Sequence, residues 1–537
     1  MIDILYTDND KNDFYLGMIS QVYKHSSVVQ VENLSWLQYK KMKNEIITPN
    51  TINFLVIVES VKGIFLAEVY QSKIPNTDSV HNALLKDNSE RIYPELSLDV
   101  IGILSIDNKK FKLPGFSTVG LTDRVYVANK KIIEIYLASI ELKEKTVENK
   151  LESIGKFSNL PSEEVFLYPS TLFDRHLMTI GTTNSGKSTS SLSILDKLIK
   201  NNKKVLIIDP TGEYLNSFNE NNICKLNLGI DTVLETGRIS LSQWATLFET
   251  NDSTQPAVLA EAIKSLRYQK KQNINAPYKK DRRSVNQVLT ELANLEPTDT
   301  SFELSLLPEQ IVEEAVELDK SMKTYIAASF QFNQKQWLIQ KVDYKLSNTQ
   351  LLKFFSPKNQ NQIDLIGKID EFLNGELHSL YINTSTIGIS EGIGRMIIDL
   401  ISTYIINSKQ KDNNAFVMFI DEVHRYSNSF DNDQYQIGLT SIAREGRKKG
   451  IFLFLTTQNP NDVPKELLGQ IGTLLVHRLT HKNEMEAIKN YLSDHSFRQI
   501  NKLNQGEAIL TSINLIRDIQ MTITKSNRLH ENSTTIL

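Results

Sequence analysis

A chain of 537 residues has room for roughly two to four domains. With 40% hydrophobic and 23% charged residues it has ordinary globular composition, which excludes a largely disordered or fibrous protein. The formal net charge of -3 gives no basic excess that would by itself announce nucleic-acid binding, although a ring can hold a basic channel inside a neutral exterior. The single cysteine, Cys224, allows no disulfide within the chain and fits a reducing cytosol. The opening residues lack a basic start followed by an apolar run, so no signal peptide is expected. No stretch approaches the roughly 18 apolar residues of a spanning helix. A soluble cytoplasmic protein without membrane contact is expected.

Residues 1–150 read as β. Short apolar runs recur at Val28-Val29-Gln30-Val31, Phe54 to Val58, Ile64 to Val69 and Val100 to Leu104. Runs at this spacing predict a small barrel or sandwich. The pattern changes near Phe166, where strands begin to alternate with helices. Leu177 to Ile180 is a short strand, Leu192, Leu195, Leu198 and Ile199 recur at helical spacing, and Val205 to Ile208 is a continuous apolar run ending at Asp209-Pro210. Residues 165–236 form the first part of an α/β core. Residues 237–375, rich in Glu, Gln and Lys at helical periodicity, read as a helical insertion. It contains the basic stretch Lys270 to Arg283, read first as a solvated helical face and second as a DNA contact. The alternation returns over 376–525, and 526–537 reads as a polar, flexible tail.

Gly181-Thr182-Thr183-Asn184-Ser185-Gly186-Lys187-Ser188 fits G-x-x-x-x-G-K-[ST] in full. The glycines let the backbone curl so that successive N–H groups face phosphate oxygens, and the following helix presents its positive end. Gly181 through Thr189 are therefore the expected nucleotide-binding residues, with Lys187 on the β- and γ-phosphates and the Ser188 hydroxyl on Mg²⁺. Phe416 to Ile420 predicts a buried strand ending in Asp421-Glu422. Asp421 is expected in the Mg²⁺ shell and Glu422 beside the attacking water. The next apolar run, Ile451 to Leu455, ends in Thr456-Thr457-Gln458, and Gln458 is the expected γ-phosphate sensor. Between them lies Ala443-Arg444-Glu445-Gly446-Arg447-Lys448-Lys449. These cations suit a solvated helix C-terminus and equally an arginine finger that enters a neighbouring subunit's ATP site.

The ordered set of motifs resembles the HerA/FtsK superfamily. Arg175-His176-Leu177-Met178-Thr179-Ile180-Gly181 is similar to its R-H-x-x-I-x-G approach to the P-loop, and Asp209-Pro210-Thr211-Gly212-Glu213-Tyr214 to its D-P-x-G-E-Y. Ile420-Asp421-Glu422-Val423-His424, the Arg444–Lys448 segment, Thr456-Thr457-Gln458 and Leu503-Asn504-Gln505-Gly506-Glu507-Ala508 follow in the same order. The match covers roughly residues 165–235 and 380–525. One departure is Asn184, where the family often has Gly. The resemblance implies a RecA-like P-loop core with a small N-terminal β-barrel of the HerA and ATP-synthase type. It implies a homohexamer with ATP sites between subunits, where Arg447 and Arg175 match arginines near the nucleotide and Arg444 competes for the finger role. It also implies an ATP- and Mg²⁺-dependent translocase or helicase acting on double-stranded DNA. An effector would work beside it, a nuclease or a sirtuin-type NADase, in DNA processing or anti-phage defence. The alternative is an ATPase scaffold that assembles and regulates such an effector without processive translocation.

Overall fold

The computed structural model describes the chain apart from residues 1, 3–4, 7, 24–25, 33, 38–39, 43–44, 48–51, 76–77, 87–91, 106–108, 143–147, 161, 220–221, 252–253, 388–390, 411–413, 428–436 and 530–537. Contacts divide it into two compact units. One holds Met1–Thr171, Lys489–Leu503 and Glu507–Ile523; the other holds Leu172–Ile488, Asn504–Gly506 and Thr524–Leu537.

In the first unit, six antiparallel strands close into a barrel. Their order is Ser27–Val31, Tyr15–Val22, Arg124–Val127, Leu55–Ser60, Gly63–Lys73 and Glu95–Ser105, and the last pairs back onto the first. Alternation drives this: Ser27–Val31 buries every second residue, so one face lines the core. Closure needs bends, and the strands supply them at register shifts between Ile19 and Gln21, Leu66 and Ala67, and Val69 and Gln71. Gly17 pairs with Val31, and a Cβ there would overlap the Gln30 carbonyl, so only glycine permits this approach. The apolar runs of the sequence thus become the barrel that was expected. The same unit contains four further antiparallel strands in the order Glu164–Val165, Gly155–Phe157, Ile519–Ile523 and Glu507–Ser512. Arg517, between the last two strands of the chain, pairs with buried Glu68 of the barrel at 2.5 Å.

The second unit is built on seven parallel strands. Their order is Thr473–Val476, Leu177–Ile180, Ile451–Thr457, Phe416–Ile420, Lys204–Asp209, Ser379–Asn383 and Ile223–Asn227. Leu177–Ile180, Phe416–Ile420 and Ser379–Asn383 are buried at every residue, which explains their continuous apolar character. Between Thr236 and Gly375 lie helices Leu241–Leu247, Gln255–Lys271, Val285–Ala293, Leu307–Glu313, Ser329–Leu346, Thr349–Phe354 and Leu365–Asn374, with a short hairpin of Val316–Leu318 and Tyr325–Ala327. Buried Trp244 packs against Phe248, Phe302 and Phe355 there. Much of the basic stretch is internally neutralised. Lys271 bonds Asp299 at 2.7 Å, Arg283 bonds Glu291 at 2.8 Å, and Lys280 is buried against Glu314. Of the tail from 526, residues 530–537 lie outside the described residues, while Arg528 donates to Asp196 at 2.7 Å. Among the described residues no helix is long and apolar enough to cross a membrane.

Candidate active site

The phosphate-binding loop leaves the sheet at Ile180, which is in register with Thr457 and Val476 of the flanking strands. Two anchors fix its start: Gly181 N–H donates to the Thr457 carbonyl at 3.3 Å and Thr182 N–H to that of Arg478 at 3.1 Å. A Cβ on Gly181 would stand 2.5 Å from Ser185 Oγ and 2.7 Å from His477 Cβ, so this position admits only glycine. Asn184 has φ +64°, the left-handed region that asparagine tolerates better than other non-glycine residues. That explains how it replaces the family's usual Gly. Gly186, at φ +107°, opens the helix Lys187–Lys200. The loop is also held from the far end of the chain. Gly506 N–H donates to the Ser185 carbonyl at 3.1 Å, and Gln505 Nε2 donates to Asn184 Oδ1 at 2.9 Å.

The acidic residues follow the strand Phe416–Ile420. Asp421 is 1% exposed and Glu422 7%. Glu422 has φ +48°, a strained backbone for a glutamate at the centre of the site. Thr456 ties the two acidic residues together: its Oγ1 accepts the Glu422 backbone N–H at 2.8 Å and donates to the Asp421 carboxylate at 2.5 Å. The Lys187 ammonium is buried against Glu422 Oε1. Gln458 Nε2 donates to the same oxygen at 2.7 Å, and Thr183 Oγ1 donates to Gln458 Oε1 at 3.0 Å. His424 Nδ1 lies 3.1 Å from Glu422 Oε2.

These environments separate the two carboxyls. Burial pushes Asp421 up, the neighbouring Glu422 charge adds to it, and the result is about 7 despite Lys187 and Thr456. Burial also pushes Glu422 up, but the His424 contact, the Lys187 charge and the Gln458 bond outweigh it and hold Glu422 at about 2. The pair is therefore split in opposite directions: Glu422 is held toward its ionised form and Asp421 toward its neutral one.

The structure thus brings Lys187, Asp421, Glu422, Gln458 and Thr183 into one cluster at the C-terminal ends of parallel strands. It does not bring in the arginines. Arg175, Arg444 and Arg447 are exposed and make no ion pair among the described residues. Sequence reasoning did not single out Thr456, His424 or the buried turn at Asp209. Asp209 accepts N–H groups from Gly212 at 2.8 Å and Tyr214 at 2.9 Å, and the Tyr381 hydroxyl at 2.7 Å. That network seats the fully buried Tyr214 edge-on to Phe419 in the acidic strand. Burial, then the charges of Asp421, Glu213 and Asp209, raise the Tyr214 hydroxyl well above its usual range, while a hydrogen bond with Ser188 works the other way. The D-P-x-G-E-Y string was the available signal for this turn.

Nucleotide phosphates and Mg²⁺ fit these residues. The cradle is one that a Cβ at Gly181 would close, and Ser188 and Asp421 offer the hard oxygen donors that Mg²⁺ prefers. A parallel sheet carrying this loop, with an acidic pair opposite, defines a P-loop enzyme that hydrolyses ATP. Residues 152–451 match the family model for the helicase HerA central domain, and residues 400–515 that for the helicase HerA-like C-terminal region. The chain belongs to the HerA helicase family. It is 24% identical over 520 residues to the probable helicase MJECL08 of Methanocaldococcus jannaschii, covering 91% of this chain and 93% of that one. It is likewise 24% identical to the probable helicase MJ1565 of the same organism, covering 72% and 69%. With the DNA double-strand break repair helicase HerA of Sulfolobus acidocaldarius the identity is 23%, covering 63% and 62%. Among solved structures, the bacterial conjugative coupling protein TrwB matches with TM-score 0.48 and 12% identity, over 73% of this chain and 93% of that chain.

Proposed function

We propose that this chain is an ATP-driven double-stranded DNA translocase that works as a homohexamer beside an effector, a nuclease or NADase, in DNA processing or anti-phage defence. The observation that carries the reading is the joint hold of Lys187 and Gln458 on Glu422, one residue from Asp421. The similarity to helicases and DNA double-strand break repair helicases supports the DNA substrate.

Each side chain then has a role. Loop N–H groups and Lys187 hold the β- and γ-phosphates. Ser188 and Asp421 hold Mg²⁺, which when bound neutralises charge on the phosphate oxygens. Glu422 remains ionised at every physiological pH and accepts a hydrogen bond from the attacking water. Phosphate that draws the Lys187 ammonium away removes one of the charges holding this carboxyl low, so its basicity rises as the site fills. Gln458, bonded to both Glu422 and Thr183, senses the γ-phosphate. Arg447, Arg175 or Arg444 supplies cationic charge across a subunit boundary.

The test is displacement of a third DNA strand from a duplex by the purified protein. ATP-dependent displacement that Lys187→Ala abolishes supports translocation. A hydrolysing protein that never displaces the strand refutes it.

A further inference from the structure

His176 is a buried titratable side chain that the chemistry above does not use. It stands just before the strand Leu177–Ile180 that runs into the phosphate-binding loop, 0% exposed and at φ +61°. Its ring joins two other elements. The Leu453 N–H donates to Nδ1 at 2.9 Å, so Nδ1 carries no proton. The proton is therefore on Nε2, which donates to the Ala443 carbonyl at 3.0 Å. Leu453 belongs to the strand Ile451–Thr457 that ends beside Gln458. Ala443 belongs to the helix Ile437–Glu445 and directly precedes Arg444; the turn Gly446–Lys449 that follows carries Arg447.

The last carbonyls of a helix lack partners within it and need outside donors. His176 supplies one at the point where the arginine segment begins. The arginines do not fix the segment themselves, being exposed and without ion pairs among the described residues. Gly446 packs close to the strand, since a Cβ on it would lie 3.2 Å from Ile451 Cβ. The imidazole adds a directional bond to that packing. Arg175, its chain neighbour, is held in turn by the Gly472 N–H on its carbonyl at 2.6 Å.

We propose that His176 is a positioning residue: it sets the Arg444–Arg447 segment against the sheet, so that these arginines keep a fixed place relative to Gln458 and the phosphate-binding loop. The proposal rests on the reading above that an arginine of this segment serves ATP hydrolysis. Burial, the dominant influence, with the Arg447 and Arg175 charges, holds the imidazole at about 4 against the raising effect of Ala443, so the bridge keeps one tautomer at physiological pH.

Two substitutions separate the two bonds. His176→Asn retains an acceptor near Nδ1 and tolerates the left-handed backbone, but cannot reach Ala443. His176→Gln places an amide donor near Nε2. The Asn variant should lose about 10- to 100-fold in kcat with little change in KM for ATP, and the Gln variant should recover most of it. In the background of whichever arginine substitution, Arg444→Ala or Arg447→Ala, lowers kcat, His176→Asn should have little further effect. Wild-type kcat in His176→Asn, or losses that multiply fully with the arginine's, overturn the proposal. If neither arginine variant lowers kcat, the arginine reading itself falls and takes the proposal with it. Should His176→Asn not fold, His176→Gln decides: near wild-type kcat supports the positioning role, and a loss fully additive with the arginine's overturns it.

Discussion

Replacing Glu422 by Gln removes one charge and almost no volume. The carboxyl is held at about 2 against an ordinary 4.5, with burial opposed by His424, Lys187 and Gln458. A displacement of that size is worth about 3 kcal/mol in favour of the ionised form near pH 7. The folded pKa is depressed, so this stabilisation is present above 4.5 and lost as pH falls toward 2. Gln keeps an acceptor oxygen for Lys187 and Gln458, so the observed cost should be smaller, about 1–3 kcal/mol. Removing the charge also relieves Asp421, whose elevation owes part to Glu422. The chemical effect should be larger: without the carboxylate that orients water, kcat should fall about 100- to 10,000-fold while ATP binding persists. Phosphate release gives kcat, a fluorescent ATP analogue gives affinity, and urea unfolding at pH 7 gives the stability change. Wild-type turnover in a folded Glu422→Gln protein would refute the assignment. Lost affinity with normal kcat at saturation would show that Glu422 serves binding instead.

Mixing inactive Lys187→Ala and Arg447→Ala subunits should restore part of the ATPase if Arg447 acts across a subunit boundary, through mixed sites that carry both native residues; no recovery at any ratio argues against it. His176 gives a pH signature. Its folded value near 4 lies below the ordinary 6.5, so the unfolded chain takes up the proton first and stability falls between pH 6.5 and 4, by up to about 3 kcal/mol. Urea midpoints for wild type and His176→Asn should converge over that interval, and parallel pH profiles would contradict the buried neutral imidazole.

Much of the site could be read from local pattern. Gly181 to Ser188 announce themselves by spacing, and Asp421-Glu422 by following an apolar run. The barrel's apolar runs were visible too, Val28 to Val31 among them, whereas the pairing of Val31, Gln30 and Val29 with Gly17, Met18 and Ile19 was not. What stayed hidden depends on partners distant in the chain. Nothing local marks Thr456 as the group joining the Asp421 carboxylate to the Glu422 backbone, or Gln505 and Gly506 as residues that fold back on a loop some 320 positions earlier. The return of Ser27–Val31 onto Glu95–Ser105, which closes the barrel, is likewise long-range. The ion pairs within the basic stretch are hidden for the same reason: Lys280 and Arg283 find Glu314 and Glu291 only in the fold.

The most direct test of the central claim is the ATPase rate of the purified protein with and without linear double-stranded DNA, at low and high salt. DNA contacts made through phosphates predict strong stimulation at low salt that fades steeply as salt rises. Turnover that depends on Lys187 yet ignores DNA at every salt concentration would contradict the translocase and point to an ATPase that drives a protein partner instead.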